Sequence, residues 1–165
     1  MTNGLTAAVL TVSDGVAGGT RLDRSGDALV DLLMAEGFNV VRRSVVADDS
    51  LAVSAAIAAC ASEARLVVTT GGTGFGPRDH TPEATREVID REAPGLAWLM
   101  LKAGLDSTPM AALSRGVVGT IRSTLVVNLP GSPKGAVENL TALFPVLGHA
   151  LELLAGHTEH SPPSG

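Results

Sequence analysis

Arg65-Leu66-Val67-Val68-Thr69-Thr70-Gly71-Gly72-Thr73-Gly74 decides the fold. An apolar, β-branched run with no polar break reads as a strand buried on both faces, the kind found in parallel sheets. The strand runs straight into three glycines, where an ordinary strand-to-helix turn needs one. Gly71, Gly72 and Gly74 admit positive φ and let backbone N–H groups approach a ligand with no Cβ in the way. Successive N–H groups in such turns form anion-binding concavities, and Thr70 and Thr73 add hydroxyl donors. The loop is therefore read as a phosphate cradle, with a plain strand-to-helix turn as the alternative.

The segments on either side extend the same pattern. Upstream, Ala7-Ala8-Val9-Leu10-Thr11-Val12 is a buried strand followed by the loop Ser13-Asp14-Gly15, and Ser25 offers a helix N-cap. Leu29, Leu32 and Leu33 recur at helical spacing up to Gly37, Phe38 to Val46 forms the second strand, and Asp48-Asp49-Ser50 opens a helix to about Glu63. Downstream, Thr81-Pro82-Glu83 is a cap, a proline and a first-turn acid, predicting a helix to near Pro94-Gly95. Another helix covers Leu96 to about Leu105. Strands over 116–121 and 124–129 are joined by a tight turn at Arg122-Ser123. Ser132-Pro133 starts a last helix to about Leu154, and 156–165 reads as a disordered tail. Alternating strands and helices predict an α/β fold, a three-layer α/β/α sandwich with a mostly parallel mixed sheet. The hairpin makes one strand antiparallel. Residues 1–155 are expected to form a single domain.

Composition narrows the function. Of 165 residues, 45% are hydrophobic and only 2% aromatic, with Trp98 the sole tryptophan. The mean hydropathy is +0.29 and the pI about 5.3. A net charge of −5 with so few aromatics disfavours a nucleic-acid partner, which needs a basic stripe or stacking platforms. No apolar run reaches the roughly 20 residues that cross a bilayer. No signal peptide is visible, and the lone Cys60 sits in an alanine-rich run as a buried small hydrophobe; a cytoplasmic location is expected.

Ligands of open parallel sheets bind beyond the carboxyl ends of the strands. The predicted strand ends there are Ser13-Asp14-Gly15, Asp48, the glycine loop and Asn128-Leu129-Pro130-Gly131-Ser132. Phe75-Gly76-Pro77-Arg78 supplies no lysine for a Walker A loop, and Pro77 breaks the dinucleotide fingerprint. Asp48 and Asp79 each read equally well as a helix cap. Together, beside a phosphate cradle, they suggest a Mg2+ seat, since magnesium takes one or two carboxylates plus substrate phosphates. Arg78, Arg115 and Lys134 are candidates to neutralise phosphate, or simply solvated charges, with Lys134 placed best. No nucleophile elbow or zinc-ligand spacing accompanies His80, His149, His157 or His160.

The stretch from Thr69 to Gly74, continuing into Arg78-Asp79-His80-Thr81-Pro82-Glu83-Ala84-Thr85, resembles the signature of the Mog/MoaB group of molybdenum-cofactor biosynthesis proteins. Thr11-Val12-Ser13-Asp14, Asp23-x-Ser25-Gly26, Leu113-Ser114-Arg115 and Asn128-Leu129-Pro130-Gly131-Ser132-Pro133-Lys134 extend the likeness over nearly the whole chain. The resemblance implies a molybdopterin adenylyltransferase that moves AMP from ATP to molybdopterin with Mg2+, releases pyrophosphate, and passes its product to a separate molybdenum-insertion protein. It also implies a homotrimer, or a hexamer as in some members. Catalysis and metal binding fall on Asp48 and Asp79, although Asp49 could take the first role. Substrate binding falls on Ser13, Thr70, Gly71, Gly72, Thr73 and Gly74, then on Ser114 and Arg115, and on Asn128, Pro130, Gly131, Ser132 and Lys134. Ala47 stands where the family often has proline. A non-catalytic pterin carrier on the same fold is the rival reading.

Overall fold

A computed structural model describes residues 4–157 of the chain. At its centre lie β1 (Thr6–Val12), β3 (Leu66–Thr70) and β6 (Thr124–Leu129), buried along almost their whole length. Because strand side chains alternate, each of these strands feeds two cores. Val9, Leu66, Val68, Leu125 and Val127 enter one core with Leu29, Leu33, Leu140 and Leu147. Leu10, Val67 and Val126 enter the other with Val53, Ile57, Cys60 and Ala84. Helices therefore cover both faces, as expected: α2 (Arg24–Ala35), α5 (Pro94–Ser107) and α6 (Pro133–Leu154) supply the first core. On the opposite face lie α3 (Ser50–Glu63) and α4 (Thr81–Arg86).

With β2 (Asn39–Val46), β4 (Arg91–Glu92) and β5 (Val118–Ile121), the sheet runs β2-β1-β3-β6-β5-β4. The first four strands pair in parallel; β5 is antiparallel to both β6 and β4, so one strand opposes the rest, as the hairpin predicts. The chain leaves β1 toward β2 on one side and returns to β3 on the other. That reversal is a topological switch point, and the carboxyl ends of β1 and β3 diverge there.

Four local expectations are corrected. Ser13-Asp14-Gly15 is not a bare loop but opens α1 (Asp14–Ala17), which Ser13 caps by accepting from the Val16 N–H at 3.2 Å. The cap of α2 is Asp23 rather than Ser25, accepting from Gly26 N–H at 3.0 Å. Ser25 lies buried inside the helix. The helix opened by Thr81-Pro82 stops at Arg86, because the next backbone is recruited to the sheet edge: Asp90 and Ala93 N–H donate to the Thr120 and Val118 carbonyls, both at 2.7 Å. Pro94-Gly95, read as a stop, instead opens α5 with proline in its first turn. A 3-10 helix over Pro109–Leu113, unforeseen, leads to β5. At the far end, Gly156 and His157 N–H still bond back to Leu153 and Glu152 carbonyls. The remainder of the expected tail, 158–165, lies outside the described residues.

Candidate active site

At the switch point a cleft of about 760 Å³ opens between the ends of β1, β2 and β3, with the start of α6 as its far wall. Ser13, Asp48, Gly71, Gly72, Asp79 and Ser132 all line it. Asp49 takes the cap role on α3 by accepting from the Ala52 N–H at 2.8 Å, and this leaves Asp48 to face the cleft. Asp48 is locked to the start of α1 by a reciprocal pair. Its Oδ2 accepts from Asp14 N–H at 2.8 Å, and its own N–H donates to Asp14 Oδ1 at 3.0 Å. Asp79 is held from its own loop, where Gly76 N–H donates to Oδ2 at 2.9 Å.

The glycine loop is stiffened by hydroxyls. Thr70 donates to the Pro130 carbonyl at 2.7 Å, and Thr81 to the Gly71 carbonyl at 2.9 Å. Gly71 has φ +101°, and a Cβ there would collide with the Val12 carbonyl, so only glycine fits. Its N–H, however, turns inward to the Leu129 carbonyl at 3.2 Å, which removes Gly71 from the cradle. The N–H groups of Gly72, Thr73 and Gly74 donate to no described residue. These three are the amides left for an anion.

A second cleft, of about 910 Å³, lies on the other side of the loop. Thr73, Gly74, Ser114, Arg115 and Pro130 form its polar end. Its apolar walls come from Trp98, Met100 and Leu101 of α5 and from Met110 and Leu113 of the 3-10 helix. The two clefts share Gly72, Asp79, Gly131 and Ser132. Ser132 also caps α6 by accepting from Gly135 N–H at 3.1 Å, so the shared wall is fixed to a 22-residue helix.

The cations are placed differently from the sequence reading. Arg78 is not free for phosphate: it grips Asp14 through Nε at 2.6 Å and Nη2 at 3.0 Å. That pairing, then the Asp48 N–H, holds the Asp14 carboxyl below its ordinary value. Arg115 clips the loop, donating to the Gly74 and Asp79 carbonyls at 2.8 and 2.9 Å, and it pairs with Glu83. Lys134 lines neither cleft; its side chain is 81% exposed and leans toward Glu138 at 3.8 Å. Asn128 is also withdrawn. Its amide accepts from Val117 N–H at 3.0 Å and donates to the Thr69 and Thr85 hydroxyls at 3.1 and 2.9 Å, below the cleft floor. Arg21 and Arg24, unremarked in the sequence, are the arginines that line the first cleft. Glu138 and Asn139 of α6, equally unremarked, line the second. Asn139 could have been found: it interrupts the stripe Ala136, Leu140, Leu143, Leu147, and a polar residue on an apolar helix face is the informative exception.

Among the described residues no three His, Cys, Asp or Glu side chains group as a metal cage, so a cation would rest on the Asp48 and Asp79 carboxylates and on ligand oxygens. This donor set is all oxygen and incomplete, which suits Mg2+ carried in with phosphates. No helix among those residues is long and apolar enough to cross a membrane.

A doubly wound α/β sheet with paired clefts at its carboxyl edge defines a class of small-ligand-binding proteins. Within that class, residues 8–149 match the family described as "Probable molybdopterin binding domain", and the chain belongs to this family. It is 37% identical over 153 residues to the molybdopterin adenylyltransferase of Helicobacter pylori J99, covering 90% of this chain and 87% of that protein. The crystal structure of the molybdopterin biosynthesis enzyme MoaB from Thermus thermophilus matches with a TM-score of 0.87 and 49% identity, over 92% of this chain and 97% of that one. Gephyrin from Dictyostelium discoideum is 39% identical over 94% of this chain, but the chain spans only 23% of gephyrin's length.

Proposed function

We propose that the chain is a molybdopterin adenylyltransferase of molybdenum cofactor biosynthesis. The observation that carries the reading is the pair of clefts meeting at Gly72, Asp79, Gly131 and Ser132. A group transfer between two substrates needs two pockets whose reacting ends converge on one point. ATP occupies the first cleft, beside Asp48, Arg21 and Arg24, and the pterin occupies the apolar second cleft. The terminal phosphate oxygen of molybdopterin attacks the α-phosphorus of ATP. A new O–P bond forms, the bond to the β-phosphate oxygen breaks, and pyrophosphate leaves.

The nucleophile is already anionic at neutral pH, so no strong general base is needed. What the chain supplies is alignment and charge neutralisation. The free N–H groups of Gly72, Thr73 and Gly74 hold phosphate oxygens at the junction, and Thr70 and Arg115 keep that loop in place. Asp48 and Asp79 would hold Mg2+, which when bound offsets phosphate charge. Assembly as a homotrimer and a cytoplasmic location, with the product passed to an insertion protein, complete the proposal.

The test is turnover with molybdopterin, ATP and Mg2+, measured as adenylylated pterin and pyrophosphate in equal amounts. Replacing Asp79 with asparagine is expected to lower the rate by on the order of 10²–10³-fold, the scale of one preorganised electrostatic group. Pterin binding without turnover by the intact chain would make it a carrier instead.

A further inference from the structure

Asn139 is only 6% exposed, yet its side chain makes no hydrogen bond to any described residue. The other residues that α6 buries are Ala136, Leu140, Leu143, Leu147, Gly148 and Leu151, so this amide is the one polar group on that face. Burying an amide without a partner is unfavourable, and folded chains avoid it unless something else completes the bonding. Asn139 is not sealed in: neither its Oδ1 nor its Nδ2 is among the fully enclosed unpaired atoms, and the residue lines the second cleft. A Cβ on Gly104 would stand 3.5 Å from Oδ1 and 2.8 Å from the Ala111 Cβ, so that glycine keeps the floor beside the amide open. Asn128 is the control within the same molecule, also buried, at 1% exposed, and with its amide fully bonded.

We propose that Asn139 is a specificity-determining residue that pairs with the polar edge of a flat heterocycle in the second cleft. A carboxamide carries one acceptor and two donors, which match an adjacent N–H and C=O couple such as that of a 2-amino-4-oxopteridine. Trp98, Met100 and Leu101 of α5 and Met110 and Leu113 of the 3-10 helix supply apolar walls against which such a ring can pack. Glu138, next to Asn139 along α6, lines the same cleft with a carboxylate able to accept from an exocyclic amine. This inference rests on the second cleft being the pterin site.

The experiment titrates a fluorescent pterin, 6-carboxypterin, into the full chain and into Asn139→Leu and Asn139→Ala, alongside Mg2+ with a non-hydrolysable ATP analogue. Thermal unfolding of each variant is recorded. Asn139→Leu, which replaces an unpaired amide by an apolar isostere, is expected to melt no earlier than the parent. It should bind the pterin at least tenfold more weakly and bind the nucleotide unchanged. If Asn139→Leu fails to fold, Asn139→Ala carries the same expectation for binding. Parental binding that both variants retain would overturn the role of Asn139 while leaving the pterin site standing. No pterin binding by the parent would overturn the site assignment and this role together.

Discussion

The two clefts share a floor and are built from opposite materials. The first is made of strand-end loops and is bordered by Ser13, Asp48, Asp79 and Ser132. The second is made largely of helix faces, α5 and α6 with the 3-10 helix, and presents Trp98, Met100, Leu101, Met110 and Leu113. One suits a charged ligand that keeps part of its hydration, the other a ring that leaves water. The difference teaches how separable the two binding functions are. The carboxylates of the first cleft are already bonded, Asp48 to Asp14 at the start of α1 and Asp79 to Gly76 of its own loop, whereas the buried amide of the second waits for a partner.

The largest effect on binding, reaching both ligands at once, is expected at the shared floor. Gly72 has φ +68°, and a Cβ there would collide with the Thr81 hydroxyl and come within 3.2 Å of Asp48 Oδ1. Gly72→Ala should cost about 1–3 kcal/mol in backbone strain, a fall of roughly 3–10 °C in Tm, and should weaken both ligands together. Calorimetric melting with the two titrations measures it. Loss of one ligand alone would break the idea of a common floor.

Next come the two asparagines. Asn128→Ala orphans the Val117 N–H and releases two hydroxyls, an expected loss of about 2–3 kcal/mol in chemical denaturation. Asn139→Leu is expected to be at least as stable as the parent, since it removes no bond. Equal losses at the two sites would erase the contrast between a bonded and a waiting amide.

A smaller and more selective effect belongs to Asp14, which orients Asp48 and pairs with Arg78. Asp14→Ala should weaken Mg2+–nucleotide binding several-fold and leave pterin binding alone. The pH dependence has a definite sign. The Asp14 carboxyl is held below its ordinary value of 3.8, so the folded state binds fewer protons than the unfolded one in this window. Its stabilising contribution is present above 3.8 and is lost as pH falls through the lowered value. Carboxyl chemical shifts followed by acid titration would show the Asp14 midpoint below that of an exposed aspartate. Smallest of all is Cys60: burial pushes its thiol up, and it should resist a thiol reagent at neutral pH until the chain is unfolded.

Much of this was legible in the sequence, for reasons that differ from place to place. The buried strands 66–70 and 124–129 were plain because parallel strands write uninterrupted apolar runs. The glycine loop stood out because its residues are contiguous, whereas Asp79 read equally well as a helix cap, and only the fold sets it on the wall that both clefts share. The end of α4 was not, since β4 exists only through its pairing with β5, a contact no local pattern records. Arg78 and Lys134 both read as candidates to neutralise phosphate, Lys134 the better placed, and only the fold gives one to Asp14 and the other to solvent. The wall of the second cleft draws on residues from Thr73 to Asn139 and has no contiguous motif, although the polar break at Asn139 in an apolar stripe was visible.

The most direct measurement is a displacement experiment: the protein is saturated with 6-carboxypterin and titrated with Mg2+ and a non-hydrolysable ATP analogue. Two clefts joined at one loop predict a ternary complex, with the pterin retained while the nucleotide binds with one-to-one stoichiometry. Release of one pterin for every nucleotide bound would mean a single shared site, and the two-cleft account would be contradicted.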